Sequence, residues 1–236
     1  MKVNNRPEST VHGGDASHDS TLPRTADRGI ISIEFALVVP MMLLVLLGFT
    51  EIYMYIRAVS IVEHTAFTIA DSIGQMPDVI NTTSTSDANS LGSIWNAATL
   101  LAAPNTLQAN GAVVITSICD LTQNCIAPSS NCVPPILPPL PPSLTPGAAQ
   151  MYWQAKAPWN QGNMTSLETA TNLLPSSWPF RTGDSAIVVE VFYSYNPFTM
   201  TSAFWPGAPG TQTIYERVYV RQRFGQALAL EPSTCA

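Results

Sequence analysis

Residues 28–48 read RGIISIEFALVVPMMLLVLLG, and an apolar run of that length restricts the chain more than any other feature. Residues 35–49 carry no charge, and adding 30–34 and 50–56 brings the helical stretch past the ~20 residues that a hydrocarbon core requires. One membrane crossing is therefore expected. Glu34 interrupts it, at a cost of roughly 2.5 to 3.5 kcal/mol on insertion scales, so a glutamate at that place answers a specific need. The alternative is a side chain that snorkels to the interface, because Glu34 lies within two turns of Arg28. Pro40 deletes one backbone hydrogen bond inside the span and is expected to bend the helix, not break it.

Orientation follows from the basic residues. Lys2, Arg6, Arg24 and Arg28 precede the span, Arg57 follows closely, and the next cation is Lys156. The positive-inside rule keeps the amino terminus cytoplasmic and exports the remainder. From residue 58 onward ten Asp or Glu face five Lys or Arg, a net −5, which leaves no electrostatic footprint for nucleic acid. Cys119, Cys125, Cys132 and Cys235 all follow the span, where an oxidising compartment permits two disulfides in any of three connectivities. Four free thiols packed as small apolar groups are the other reading.

Residues 1–29 are polar, with almost no large apolar side chain from which to build a core, and read as a disordered cytoplasmic leader. His12 and His18 in that leader lack a neighbouring ligand at metal-binding spacing, so neither a metal nor a cofactor is expected. Past the membrane, Ile52, Tyr55, Ile56, Val59, Val62, Ala66, Ile69, Ala70 and Ile73 recur at steps of three and four. The span thus continues into an amphipathic helix that Gly74 and Pro77 end, giving a helical region 30–76.

Residues 77–236 read as an exported β-rich domain. A short helix is expected over 94–101 around Trp95. Three strands are predicted at 112–119, 185–195 and 213–223, each rich in Val, Ile and Tyr. In the second, Ile187, Val189, Val191 and Tyr193 oppose Val188, Glu190, Phe192 and Ser194. In the third, Tyr215, Arg217, Tyr219 and Arg221 oppose Ile214, Val218 and Val220. Such alternation suits a small antiparallel sheet with one covered face, and the amphipathic helix is the natural cover. The Pro-rich loop 133–147, VPPILPPLPPSLTPG, favours polyproline II and a surface position.

Catalytic signatures are missing. There is no phosphate-cradling glycine loop, HExxH helix, GxSxG elbow or Cys-x-x-Cys pair, and His64 is the one histidine beyond the leader. No enzyme is expected.

The helical segment resembles a known family. A glycine, four apolar or small residues, a glutamate and then Phe, ahead of an apolar helix, look like a prepilin cleavage site. The wider segment RGIISIEFALVVPMMLLVLLGFTEIYMYIRA is similar to the TadE/TadG-like proteins of tight-adherence (Flp) pilus systems. The match rests on Arg28, Gly29, Glu34, Phe35, Ala36, Leu37, Pro40 and Glu51. More weakly, VVITSIC, a turn at Tyr152-Trp153-Gln154, the strand GDSAIVVEVFYSY and the basic end at Arg221 to Arg223 resemble the exported half of that family.

The resemblance implies a pilin-like α+β fold with disulfide-bonded loops, anchored in a bacterial inner membrane with its carboxy-terminal domain periplasmic. It implies cleavage after Gly29 by a prepilin peptidase, with Ile30 as the new amino terminus beside Glu34 and Phe35. Assembly through Glu34, Pro40 and Glu51 would involve membrane lipid and other pilus or Tad secretion-system subunits. The expected role is a non-enzymatic minor pilin-like (pseudopilin) component. The alternative is an unprocessed single-pass anchor that presents an exported binding or adhesion domain.

Overall fold

The computed structural model describes residues 25–120, 145–162, 164–224 and 227–232, with side chains of the first helix described from Ser32 onward. Most of the expected leader, most of the proline tract, and Cys125, Cys132 and Cys235 lie outside the described residues. The chain divides into two units, Met1–Val45 and Leu46–Ala236. Helix α1 (Thr25–Gly74) begins five residues ahead of the expected start and supplies residues to both. It remains helical through Pro40, as expected for a proline whose lost hydrogen bond does not interrupt the turns around it.

In the first unit every described side chain of α1 is exposed or, at Val39, half-buried. The second unit is an α+β domain. From its start to Gly74, α1 buries Ala58, Val62, Ala66, Ile69, Ala70 and Ile73, the apolar stripe expected from three- and four-residue spacing. The chain then forms β1 (Asp78–Asn81), α2 (Leu91–Leu101), α3 (Leu107–Asn110), β2 (Gly111–Asp120) and β3 (Ala149–Lys156). After these come β4 (Ala186–Tyr195), a single 3₁₀ turn (Ser202–Phe204), β5 (Gln212–Arg221) and β6 (Ala229–Pro232).

Strands β3-β2-β4-β5 make an antiparallel sheet in that order, and β1 and β6 make a separate parallel pair. Gly74 ends α1 as expected, and there the Arg223 N–H donates to the Gly74 carbonyl at 3.0 Å, fixing the helix end to the chain just past β5. A Cβ at Gly74 would lie 3.1 Å from Val220, so the glycine also lets helix and strand approach closely. Helix α2 starts at Ser90, whose Oγ accepts from the Ser93 N–H at 3.1 Å, a cap that contributes about 1 kcal/mol.

One face of the sheet packs as expected against the amphipathic part of α1. Val113 and Ile115 of β2, Ile187, Val189, Val191 and Tyr193 of β4, and Ile214 of β5 join the α1 stripe in a single core. Ile94, Trp95 and Ala98 of α2 complete it. Each large aliphatic side chain removed from water here contributes about 2 kcal/mol.

The expectation of one covered face is corrected by the structure, because residues that follow β3 cover the other face. Leu173 and Phe180 pack on Ile118 and Val188, and Met164 packs on Val114 and Phe192. All ten residues of β2 are consequently buried. Glu190, the one carboxylate in the β4 alternation, lies on this face and is fully buried. Its carboxylate accepts from the Ser166 hydroxyl, from the Leu167 N–H at 2.9 Å and from the Tyr215 hydroxyl at 2.9 Å. Beside it Glu168 Oε1 accepts from Arg217 at 2.6 Å and from the Tyr219 hydroxyl at 2.9 Å. Burial pushes the Glu168 carboxyl above the usual range against those hydrogen bonds. A residue whose polar atoms are satisfied inside, as those of Glu190 are, reads in sequence like a solvent-facing one.

The expected turn at Tyr152-Trp153-Gln154 is also corrected, since all three residues belong to β3. Ser117 pairs with Trp153 but Ile118 pairs with Met151, so Tyr152 is the extra residue of a β-bulge. The bulge breaks the period-two signal by which a strand is recognised. At the same place Ser117 Oγ and Trp153 Nε1 both donate to the Leu228 carbonyl, at 3.1 and 2.6 Å, tying the sheet to the segment that leads into β6.

Candidate assembly helix and its buried glutamate

An apolar surface with no protein cover distinguishes the first part of α1. Ile33, Phe35, Leu37 and Met41 are each more than 60% exposed. An 18-residue apolar window of the helix has no residue buried within the protein. The helix is long and apolar enough to cross a membrane. Glu34 and Pro40 lie on this uncovered stretch and are exposed. Among the described residues Glu34 forms no ion pair. Gly29 and Ile30 are helical, one turn ahead of Glu34, because five residues advance a helix by about 7.5 Å.

Glu51 has the opposite environment. It is 2% exposed and stands at the head of the buried stripe, four residues before Tyr55 and seven before Ala58. Those are the spacings that return a side chain to the same helix face. The carboxylate reaches the segment after β4. Its Oε1 accepts the N–H groups of Met200 at 2.5 Å and Thr201 at 3.2 Å, and its Oε2 accepts the Thr201 hydroxyl. Thr201 is the residue before the 3₁₀ turn, so the donors that Glu51 collects come from a chain reversal whose amides are not used by a sheet.

Aromatic rings surround this tie. Tyr55 packs against Tyr195 with ring centroids 6.0 Å apart, and Phe198 meets Trp205 edge-on at 5.1 Å. The helix and the loop at 196–208 are therefore joined by a charged hydrogen-bonded group flanked by ring contacts. The family resemblance selected Glu51 but not its partners Met200 and Thr201. Helix phase could have added that Glu51 is buried, since a glutamate in line with the apolar stripe must find donors or break the stripe.

The remaining expected residues divide between the described and undescribed parts of the chain. Cys119 is buried at the end of β2. His64 is exposed on α1. Among the described residues no group of His, Cys, Asp and Glu is placed to hold a metal.

No curated protein and no solved structure matches the chain. Residues 29–71 match the family model described as TadE-like protein, a match that runs from the glycine before the apolar stretch, through Glu34 and Glu51, into the buried stripe. The match takes in 43 of the 236 residues, and over that segment the chain is similar to TadE-like proteins.

Proposed function

We propose that this protein is a non-enzymatic minor pilin-like component of a Tad/Flp-type pilus, held in a bacterial inner membrane by α1 with the second unit in the periplasm. The observation that carries the reading is the uncovered apolar stretch of α1, headed by Gly29, Ile30, Glu34 and Phe35, within a TadE-like match. Hydrolysis of the Gly29–Ile30 bond by a prepilin peptidase consumes one water and leaves a carboxylate on Gly29 and an ammonium on Ile30. An intramembrane carboxylate costs roughly 2.5 to 3.5 kcal/mol at the centre of a span, and a neighbouring subunit's ammonium offsets that cost. The pair would set the register in which apolar helices pack beside one another. Lipid and the other Tad subunits are the partners of this surface. Two disulfides among Cys119, Cys125, Cys132 and Cys235 belong to the same reading of an exported domain.

The amino terminus tests it. Mass spectrometry of the protein from its native host, with and without the peptidase, should find Ile30 at the terminus only when the peptidase is present. A leader that persists in both strains would refute processing and leave an anchored exported domain. With processing intact, Glu34→Ala should abolish piliation, and normal piliation in that variant would remove the register role.

A further inference from the structure

We infer that the loop at 196–208 lies in the interfacial layer of the bilayer, so that the second unit touches lipid through this loop as well as through the helix. The inference rests on the reading of α1 as a membrane anchor and adds a second contact to it.

Several observations converge on this loop. Met200, Phe204 and Trp205 are 49%, 67% and 47% exposed within six residues of one another, whereas Leu100, Leu167 and Phe224, also exposed, are far apart in sequence. Large apolar side chains left in water on one short segment mark a surface that meets something else. Residues 191–215 contain no Asp, Glu, Lys or Arg, in a chain whose second unit is otherwise acidic. A patch without charge suits neither a basic nor an acidic protein partner, and it spares the loop repulsion from anionic headgroups.

Position decides between lipid and a protein partner. The carboxylate of Glu51 holds the loop backbone at Met200 and Thr201 beside the helix. At that level α1 changes from uncovered apolar surface to a buried stripe. Tyr53 and Ile56, next to Glu51 in sequence, are 63% and 60% exposed, and Arg57 is exposed after them. Tyr and Trp with a neighbouring Arg form the side-chain set that gathers at a membrane–water boundary, where rings lie among headgroups and a guanidinium meets phosphate. The loop is therefore tied to the helix where hydrocarbon gives way to headgroups.

Trp205 supplies the probe. The full chain is reconstituted in vesicles of phosphatidylethanolamine and phosphatidylglycerol doped with phosphatidylcholine brominated near the carbonyl end or near the chain terminus. Subtracting the Trp205→Phe emission from the wild-type emission isolates the Trp205 signal. The expected result is loss of that signal with shallow bromines, weaker loss with deep ones, and protection from aqueous acrylamide. A signal that acrylamide quenches and bromines do not would place the loop in water and overturn the inference. A signal shielded from both quenchers would mean that protein covers the loop, and would overturn it equally. The anchor is read separately with Leu43→Trp in the Trp205→Phe background. Strong quenching of that tryptophan by deep bromines with none at Trp205 refutes the loop contact alone, whereas the absence of bromine quenching at both positions removes the anchor reading with it.

Discussion

Replacing Glu51 with alanine tests the tie between α1 and the loop at 196–208. The glutamate accepts from two amides and one hydroxyl, and hydrogen bonds to a charged acceptor contribute about 1.5 to 3 kcal/mol each. Those gains do not simply add. Met200 is half exposed, so water can replace the acceptor for its N–H, and removing a buried carboxylate also recovers its desolvation cost. Thr201 is 8% exposed, and its two stranded donors carry most of the penalty. The net loss for Glu51→Ala is about 3 kcal/mol of loop docking, or about a hundred-fold in the open population. Glu51→Gln keeps one acceptor oxygen but loses the charge, and should fall between wild type and alanine. Hydrogen exchange on the full chain in micelles measures this directly. Protection at Thr201 should drop about a hundred-fold while Ile115, deep in β2, is unaffected. Unchanged Thr201 protection in the alanine variant would show that the carboxylate does not hold the loop.

Two further substitutions probe the packing that positions the helix. Gly92 in α2 lies against the chain that precedes it, and a Cβ there would stand 2.3 Å from the carbonyl oxygens of Thr83 and Ser84. Gly92→Ala should therefore lower the thermal unfolding midpoint by an overpacking cost of about 1 to 3 kcal/mol, although helix propensity alone favours alanine by about 1 kcal/mol. A rise in the midpoint would mean that the backbone contact is not as close as described. Glu190→Leu removes the acceptor for the Leu167 N–H and the Tyr215 hydroxyl inside the second sheet face, with an expected loss of about 3 kcal/mol. Equilibrium unfolding of the same full chain checks it, and a neutral result would show that the loop after β3 does not depend on the carboxylate.

The parts of this fold that were legible in sequence are those where one periodicity runs without interruption. The stripe from Ala58 to Ile73 predicts both the helix and its buried face, and the alternation along β4 separates the two sides of the strand, of which Ile187, Val189, Val191 and Tyr193 meet the helix. Strand β3 was missed because the bulge at Tyr152 shifts its phase midway. Strands β1 and β6 are four residues each, too short for a period to register, and they pair across most of the domain. The second covered face was missed for a chemical reason. Glu190, Arg217 and the two tyrosines look solvent-facing by type, and only their three-dimensional partners show that their polar groups are satisfied inside. The same limit applies at the candidate site, where Glu51 stood out but Thr201, 150 residues away, carried no mark that assigned it to the helix.

Glu51 also explains how one helix serves two surroundings without an ambiguous boundary. An apolar side chain at 51 would extend the stripe by another turn, but apolar burial is non-directional and would accept many positions of the loop at 196–208. A buried carboxylate does not allow that freedom, because it must find donors or pay several kcal/mol. Two consecutive amides and a hydroxyl on Met200 and Thr201 satisfy it only when the loop stands at one level along the helix. Stability is a weak reason to keep such a group, since well-packed apolar replacements are often neutral, whereas a fixed register is the better-attested use of a buried polar residue. Glu34 and Glu51 thus differ in what they demand: the first lies on a helix surface that this chain leaves uncovered, the second finds its donors within the chain itself.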